Sequence, residues 1–134
     1  MTKKILQNLL LTFVLSLLLT GLFYSIWFSS KQRGFEEGQA LTILFFVGDI
    51  FQNLILTIAT LPVFFLAKHA NYNNLKTRIL LYFSGPVLLT LCFVLFVGNS
   101  AEDKIGFLLP GLSFVAIHSY FYFRLTHLKN DKVQ

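Results

Sequence analysis

Long apolar runs dominate this chain, and short polar segments separate them. The runs cover residues 5–28, 41–67, 79–97 and 105–123. A helix needs about 20 apolar residues to cross the hydrocarbon core of a bilayer, and each run is close to that length or longer. The pattern therefore predicts four membrane-spanning helices in a single membrane domain, residues 1–134.

The order of residues inside the runs favours helices over membrane β-strands. Barrel strands alternate apolar and polar residues, whereas Leu9-Leu10-Leu11 and Phe64-Phe65-Leu66 do not alternate. A helix also satisfies its backbone hydrogen bonds within one segment, as lipid requires. Because residues 98–104 form only a short link, the last two helices should pack as a hairpin. The predicted fold class is an all-α integral membrane protein, an antiparallel bundle of four transmembrane helices.

The sequence contains residues typical of helix caps and helix kinks. Asn73 and Asn74 can cap the third helix, and Ser100 with Asp103 forms a capping box for the fourth. Proline lacks a backbone N–H and bends helices. The chain has three prolines inside predicted spans, which neighbouring helices should accommodate as kinks: Pro62, Pro86 and Pro110.

Polar residues recur at helical spacing in the first two runs. The first stripe is Asn8, Thr12, Ser16, Thr20 and Tyr24, and the second is Asp49, Asn53, Thr57 and Thr60. Because lipid solvates polar groups poorly, both stripes should face protein, where small side chains also allow close helix packing. The first interpretation is that they pack the first two helices together. The alternative is that they line a hydrated path or a partner groove.

Asp49 is the strongest single candidate for a functional residue, because an intramembrane carboxylate is costly. Two placements are open. If the second span starts at Gly48, then Asp49 begins a helix at the outer interface. If the whole run is embedded and tilted, Asp49 is buried, with Gln52 and Asn53 beside it.

His118, in the fourth run, completes the candidate intramembrane polar site. It is expected in the opposite half of the bundle from Asp49, so direct contact between them is not expected. A second interpretation is structural: a neutral imidazole bonded to Ser119, Asn8 or a backbone carbonyl. Three scattered histidines do not form a zinc site, and no metal or cofactor is predicted.

Composition supports membrane insertion and argues against conventional catalysis. Apolar residues make up 55% and charged residues 13%, about half the usual charged share of a soluble protein. The single cysteine, Cys92, excludes an internal disulfide and is expected to pack as a small apolar residue. The adjacent Glu36 and Glu37 are expected in a solvated outer loop. Phosphate loops, nucleophile elbows and paired intramembrane carboxylates are absent, so no enzymatic activity is predicted.

Charge distribution predicts the orientation. If the N-terminus is cytoplasmic, eight of the 11 Lys and Arg residues lie inside, and only Lys31, Arg33 and Lys104 lie outside. This satisfies the positive-inside rule, so both termini are predicted in the cytoplasm and the first span is predicted to remain uncleaved. The net charge of +5 then reflects topology and contact with the lipid bilayer, and no nucleic acid is expected as a partner.

Two functions follow from these features. The preferred one is a small non-enzymatic protein of the cytoplasmic (inner) membrane that binds another membrane protein as an accessory, assembly or immunity subunit. Its docking faces would be aromatic-rich, as in residues 120–123. The alternative is a small transporter or channel, formed with copies of itself, that uses Asp49, Asn53 and His118.

Overall fold

The computed structural model describes residues 2–30 and 35–130, and within those residues it contains helices and no strand. The α-helices are α1 (Thr2–Ser30), α2 (Phe35–Ala59), α3 (His69–Asn73), α4 (Leu75–Cys92) and α5 (Ala101–Asn130). A 3₁₀ segment, Leu61–Ala67, continues α2, and a π-helical turn, Phe93–Val97, extends α4.

Four helical stretches in the described residues are long and apolar enough to cross a membrane. They are Thr2–Ser30, Gln39–Ala67, Leu75–Val97 and Ala101–Thr126. Each contains or closely matches one of the four predicted apolar runs. The all-helical prediction with four candidate spans is therefore confirmed, and four such helices are compatible with a multi-pass membrane protein.

The start of α2 differs from the prediction. Glu36 and Glu37, expected in a loop, lie in the first turn of α2, which begins at Phe35. Lys31 and Arg33, expected beside them, lie outside the described residues. Helix formation therefore begins before the apolar run does, because the backbone hydrogen bonds of a helix do not require apolar side chains.

The predicted caps are present at two helix starts. The Asn74 side chain accepts hydrogen bonds from the backbone N–H groups of Lys76 and Thr77, at 3.1 and 3.3 Å. At the start of α5, the Asp103 N–H donates to Ser100 Oγ, and the Ser100 N–H donates to Asp103 Oδ2, both at 3.1 Å. These bonds satisfy donors that the first helical turn leaves free.

The three prolines act differently. Pro62 stands near the start of the 3₁₀ segment, where α2 ends. Pro86 and Pro110, in contrast, lie inside α4 and α5, which continue through them. A proline within a helix removes the hydrogen bond to the carbonyl four residues earlier, so those carbonyls need other donors.

Two glycines set the distances between helices. A Cβ atom at Gly85 would lie 2.1 Å from the Ala59 carbonyl oxygen, and one at Gly111 would lie 2.2 Å from Thr90 Cγ2. Only a residue without a side chain fits at either position. These contacts bring α4 against the end of α2, and α5 against α4.

One end of the bundle is closed by a cluster of apolar and tyrosine side chains. It joins the start of α1, the 3₁₀ segment, α3, the first half of α4 and the end of α5: Ile5, Leu9, Val63, Leu66, Tyr72, Tyr82, Tyr122 and Leu125. Arg78 Nε donates to Tyr122 Oη at 3.0 Å, and Tyr72 Oη donates to the Leu125 carbonyl at 3.3 Å. Charge-assisted and neutral hydrogen bonds therefore anchor this end.

Candidate functional site

The polar stripe of α1 forms its buried face. Thr12, Ser16 and Thr20 are fully buried, Tyr24 is buried as well, and Asn8 is half-buried. The face continues into apolar residues at both ends of α1. Because α1 packs along α2 and α5, these residues contact protein.

Most hydroxyl groups in the stripes bond to their own helix. Thr12 Oγ1 donates to the Asn8 carbonyl and Thr20 Oγ1 to the Ser16 carbonyl, each at 2.8 Å. In α2, Thr57 Oγ1 donates to the Asn53 carbonyl at 2.8 Å. Such bonds satisfy the hydroxyl group within its own helix, and no hydrogen-bonding group on a neighbouring helix is needed. These threonines therefore pack as small residues.

The second stripe, like the first, has one half-buried member. Thr60 is fully buried, and its Oγ1 donates to the Thr57 carbonyl at 2.6 Å. Thr57, which was predicted to be buried, is only half-buried. At 3.6 residues per turn, Thr57 lies about 80° around the helix from Asp49, whereas Thr60 lies about 20° from it.

One chain of side-chain hydrogen bonds joins α1 to α2. Ser16 Oγ donates to Asn53 Oδ1, and Asn53 Nδ2 donates to Asp49 Oδ1. Both Asn53 and Asp49 are buried. The stripes therefore meet at one polar point, and the rest of the α1–α2 contact is close packing.

Asp49 is buried and is not a helix start. Its side chain is 1% exposed, and it lies about four turns into α2, counting 3.6 residues per turn. The expectation that Asp49 begins a helix is therefore wrong, because α2 starts at Phe35. Its second carboxyl oxygen, Oδ2, is buried with no hydrogen-bond partner in the described part of the chain.

Two side chains near Asp49 reach across to α5. Tyr24 Oη donates to the Gly106 carbonyl at 2.6 Å, and Gln52 Nε2 donates to the Phe107 carbonyl at 2.7 Å. The Gly106 carbonyl has lost its usual partner, because residue 110 is proline and has no N–H. Tyr24 therefore supplies the donor that Pro110 removes.

His118, which lies on α5, has the same role toward a carbonyl of α4. Its Nε2 lies 3.1 Å from the Tyr82 carbonyl oxygen, and four residues after Tyr82 is Pro86. A carbonyl can only accept, so Nε2 carries the proton and replaces the N–H that Pro86 lacks. Of the interpretations considered for His118, the geometry matches the structural one, with a backbone carbonyl as the partner.

Aromatic rings surround His118. Its ring stacks on Tyr82, with centroids 4.0 Å apart, and on Phe114 at 5.6 Å, while Phe83 meets it edge-on at 6.1 Å. The side chain is fully buried, and Nδ1 has no partner among the described residues. Packing and one backbone hydrogen bond therefore account for its position.

The candidate polar site divides into two regions. Asp49, Gln52 and Asn53 lie together, and Gly106 of α5 lines the same pocket as Asp49. His118 lies 12 residues beyond Gly106 on α5, which is about 18 Å along a helix at 1.5 Å per residue. As expected from the sequence, Asp49 and His118 do not form a couple.

A pocket of about 240 Å³ opens beside Asp49. Tyr24, Phe45 and Phe107 provide aromatic walls, and Asp103, half-buried, adds a second carboxyl group. The pocket lies near the end of α1, the middle of α2 and the start of α5. We refer to it below as the Asp49 pocket.

Several residues of this region were not predicted from the sequence. Phe45 and Gly106 carry no pattern of their own, and the bond from Tyr24 to Gly106 was not predicted. A usable signal was present, because the residue four positions before each intrahelical proline has a carbonyl that needs a donor. For Pro110 and Pro86 those residues are Gly106 and Tyr82.

The aromatic residues 120–123 lie on different faces of α5: Tyr120 and Phe123 are exposed, whereas Phe121 and Tyr122 are buried. Four consecutive residues of a helix point in all directions, so they divide between core and surface. Cys92, expected to pack internally, is exposed on α4.

The described residues contain no group of three or more His, Cys, Asp and Glu side chains that could hold a metal ion. Comparisons with protein-family models, curated proteins and solved structures gave no match to this chain. Its function therefore has to be argued from the geometry.

Proposed function

We propose that the chain is a small non-enzymatic protein of the cytoplasmic membrane, with both termini inside, that binds another membrane protein as an accessory, assembly or immunity subunit. The observation that carries this proposal is the burial of the polar stripe of α1. Thr12, Ser16 and Thr20 are fully buried and hydrogen-bonded within the protein. A water-filled path would leave such groups in contact with water, so their burial supports a packed bundle.

The outer surface of the bundle supports docking within the membrane. Large apolar side chains cover it, and aromatic residues are prominent among them, including Phe96 at 81%, Tyr120 at 62% and Phe123 at 60% exposure. Aromatic residues bury a large area at a low cost in conformational entropy. A partner helix can pack against such faces in place of lipid.

Site-specific photo-crosslinking in native membranes tests this proposal. A photoreactive residue is placed at Tyr120 or Phe123 of α5 and, for comparison, at Leu18 of α1, which is also exposed. The expected result is one heterologous membrane protein, recovered at constant stoichiometry and crosslinked from only one of the two helices. Crosslinks to lipid alone, or to a second copy of this chain alone, would refute the proposal.

Orientation is tested separately with reporter fusions. A reporter active only in the cytoplasm should be active at Asn71 and after Gln134, and inactive at Gly34. The expectation rests on the eight-to-three distribution of Lys and Arg. A periplasmic C-terminus would contradict the proposed topology.

A second candidate function is a small oligomeric transporter, and the Asp49 pocket is the observation that favours it. Replacing Asp49 with Asn keeps the shape and most hydrogen-bonding capacity but removes the titratable group. If the chain is an accessory subunit, the variant should accumulate normally and retain its partner and its activity. A variant that accumulates, keeps its partner and yet is inactive would favour transport.

A further inference from the structure

We infer that the Asp49 pocket binds a small organic cation, a primary or secondary ammonium with an apolar body. The inference applies to either function proposed above, because it depends only on the geometry of the pocket. Three observations carry it: an unpartnered carboxyl oxygen, a cavity beside that carboxyl group, and the chemistry of the cavity walls.

The unpartnered oxygen indicates which group is missing. Asp49 Oδ1 accepts from Asn53, but Oδ2 is buried and has no donor in the described part of the chain. Nearly all buried polar atoms in folded proteins are hydrogen-bonded. Carboxyl groups within membranes pair with a charged or hydrogen-bonding partner. A ligand N–H would supply that donor, and an ammonium would also supply the opposite charge.

A cavity lies beside this carboxyl group. The pocket measures about 240 Å³, and Asp49 lines it. Gly48 lines it too, and a Cβ atom built on Gly48 would meet no atom within 4 Å. The cavity is smaller than the 300–1,000 Å³ typical of sites for drug-sized ligands, so it fits a compact ligand.

The walls specify a cation with an apolar body. Tyr24, Phe45 and Phe107 present aromatic rings, which attract cations through their faces and pack against apolar groups. Asp103 adds a second carboxyl group, and among the described residues no Lys, Arg or His lines the pocket. Anionic ligands therefore have no counter-charge there.

A bare metal ion fits this pocket less well than an ammonium. Hard cations take six or more oxygen ligands, whereas the pocket offers the carboxyl groups of Asp49 and Asp103 and the Gln52 amide, which already donates to the Phe107 carbonyl. No cluster of metal-ligating side chains occurs among the described residues. Aromatic walls would remain unused by a metal ion but would cover the hydrocarbon part of an amine.

The chain contains a built-in reporter for binding. Trp27 is its single tryptophan, and the Trp27 ring meets the Phe45 ring edge-on, with centroids 6.3 Å apart. Because Phe45 lines the pocket, a ligand there should change tryptophan fluorescence. The full-length protein in a mild detergent is titrated with phenethylammonium, and with phenethyl alcohol as a neutral probe of similar size.

We expect a saturable fluorescence change with phenethylammonium and at least tenfold weaker binding of the alcohol. Asp49→Asn should weaken ammonium binding at least tenfold, because it removes the counter-charge. Gly48→Leu should weaken it similarly by filling the pocket. Gly21→Leu is the matched control, because Gly21 lines a different groove, and a Cβ atom there makes only ordinary contact with Phe46; it should change affinity less than twofold.

Several outcomes would overturn the inference. These are the absence of saturable binding to the wild-type protein, equal binding of amine and alcohol, or unchanged affinity in Gly48→Leu. If Asp49→Asn does not fold, Gly48→Leu decides the question, since its Cβ atom enters open space. Failure of this experiment leaves the crosslinking test of partner binding unaffected, and the reverse is also true.

Discussion

The Tyr24 region and the His118 region solve the same structural problem but differ in the space around them. In each, a proline inside a helix leaves a carbonyl without its N–H, and a side chain from another helix supplies the donor. Around His118, aromatic rings stack on the imidazole. Beside Tyr24, a cavity of about 240 Å³ lies against the aromatic rings and Asp49.

This difference separates two buried polar residues. Within the described residues, His118 and Asp49 each have one buried atom without a hydrogen-bond partner. His118 already makes the hydrogen bond that Pro86 requires, so its presence has a structural cause. Asp49 bonds to Asn53, and a cavity lies beside it. Burial is therefore common to both residues, and the adjacent cavity is what distinguishes Asp49.

The largest effect on stability should come from adding a side chain to the closely packed contact between α4 and α5 in the His118 region. Gly111→Leu places a side chain where a Cβ atom would already lie 2.2 Å from Thr90 Cγ2. Thr90 is buried, and its Oγ1 donates to the Pro86 carbonyl, so it cannot move away freely. We expect a loss of about 3 kcal/mol in the free energy of unfolding, measured by thermal unfolding in detergent. Gly48→Leu, in the open region, is the control and should be nearly neutral; equal losses would remove the contrast between the regions.

A smaller but substantial effect should follow from Ser16→Leu. The change removes the hydrogen bond to Asn53 and inserts a larger side chain between α1 and α2 at a fully buried position. A loss of about 2 kcal/mol is expected from overpacking and from the unsatisfied amide oxygen. Ser16→Ala separates the two causes, because it removes the hydrogen bond without adding volume. Wild-type stability of Ser16→Leu would show that the stripe does not hold α1 against α2.

The two proline-linked hydrogen bonds can be measured by double-mutant cycles. His118→Phe keeps an aromatic ring but leaves the Tyr82 carbonyl without its donor, so about 1–3 kcal/mol should be lost. In a Pro86→Ala background the helix regains its own N–H, and the loss should fall to less than half.

Tyr24→Phe with Pro110→Ala is the parallel cycle in the open region. The losses measured for each pair, with and without the proline, are compared by thermal unfolding in the same detergent. If replacing the proline reduces neither loss of stability, then Tyr24 and His118 do not compensate for the prolines. The two regions would then not share a structural role.

The smallest effect on stability is expected for Asp49→Asn. The amide preserves the shape of the side chain and can still bond to Asn53. The free energy of unfolding should change by less than about 0.5 kcal/mol, within the usual range for substitutions that break no packing. A large loss would mean that the carboxyl group is needed for the fold, and Asp49 would then resemble His118 as a structural residue.

Local patterns in the sequence determined the four candidate spans and two of the helix caps. Bilayer thickness fixes the length of an apolar run, so the four candidate spans were predictable. The caps at Asn74 and Ser100 were predictable for the same reason, since they involve residues two or three positions apart. The inward direction of the α1 stripe also follows from its spacing, because residues four apart share a helix face.

Only the tertiary structure decided which groups meet between helices. The carbonyls freed by Pro86 and Pro110 were visible in the sequence, but their donors, His118 and Tyr24, lie 36 and 82 residues from the acceptors. The burial of Asp49 and the pocket beside it depend on how α1, α2 and α5 pack together. Those properties arise from contacts between distant segments, which helical periodicity does not encode.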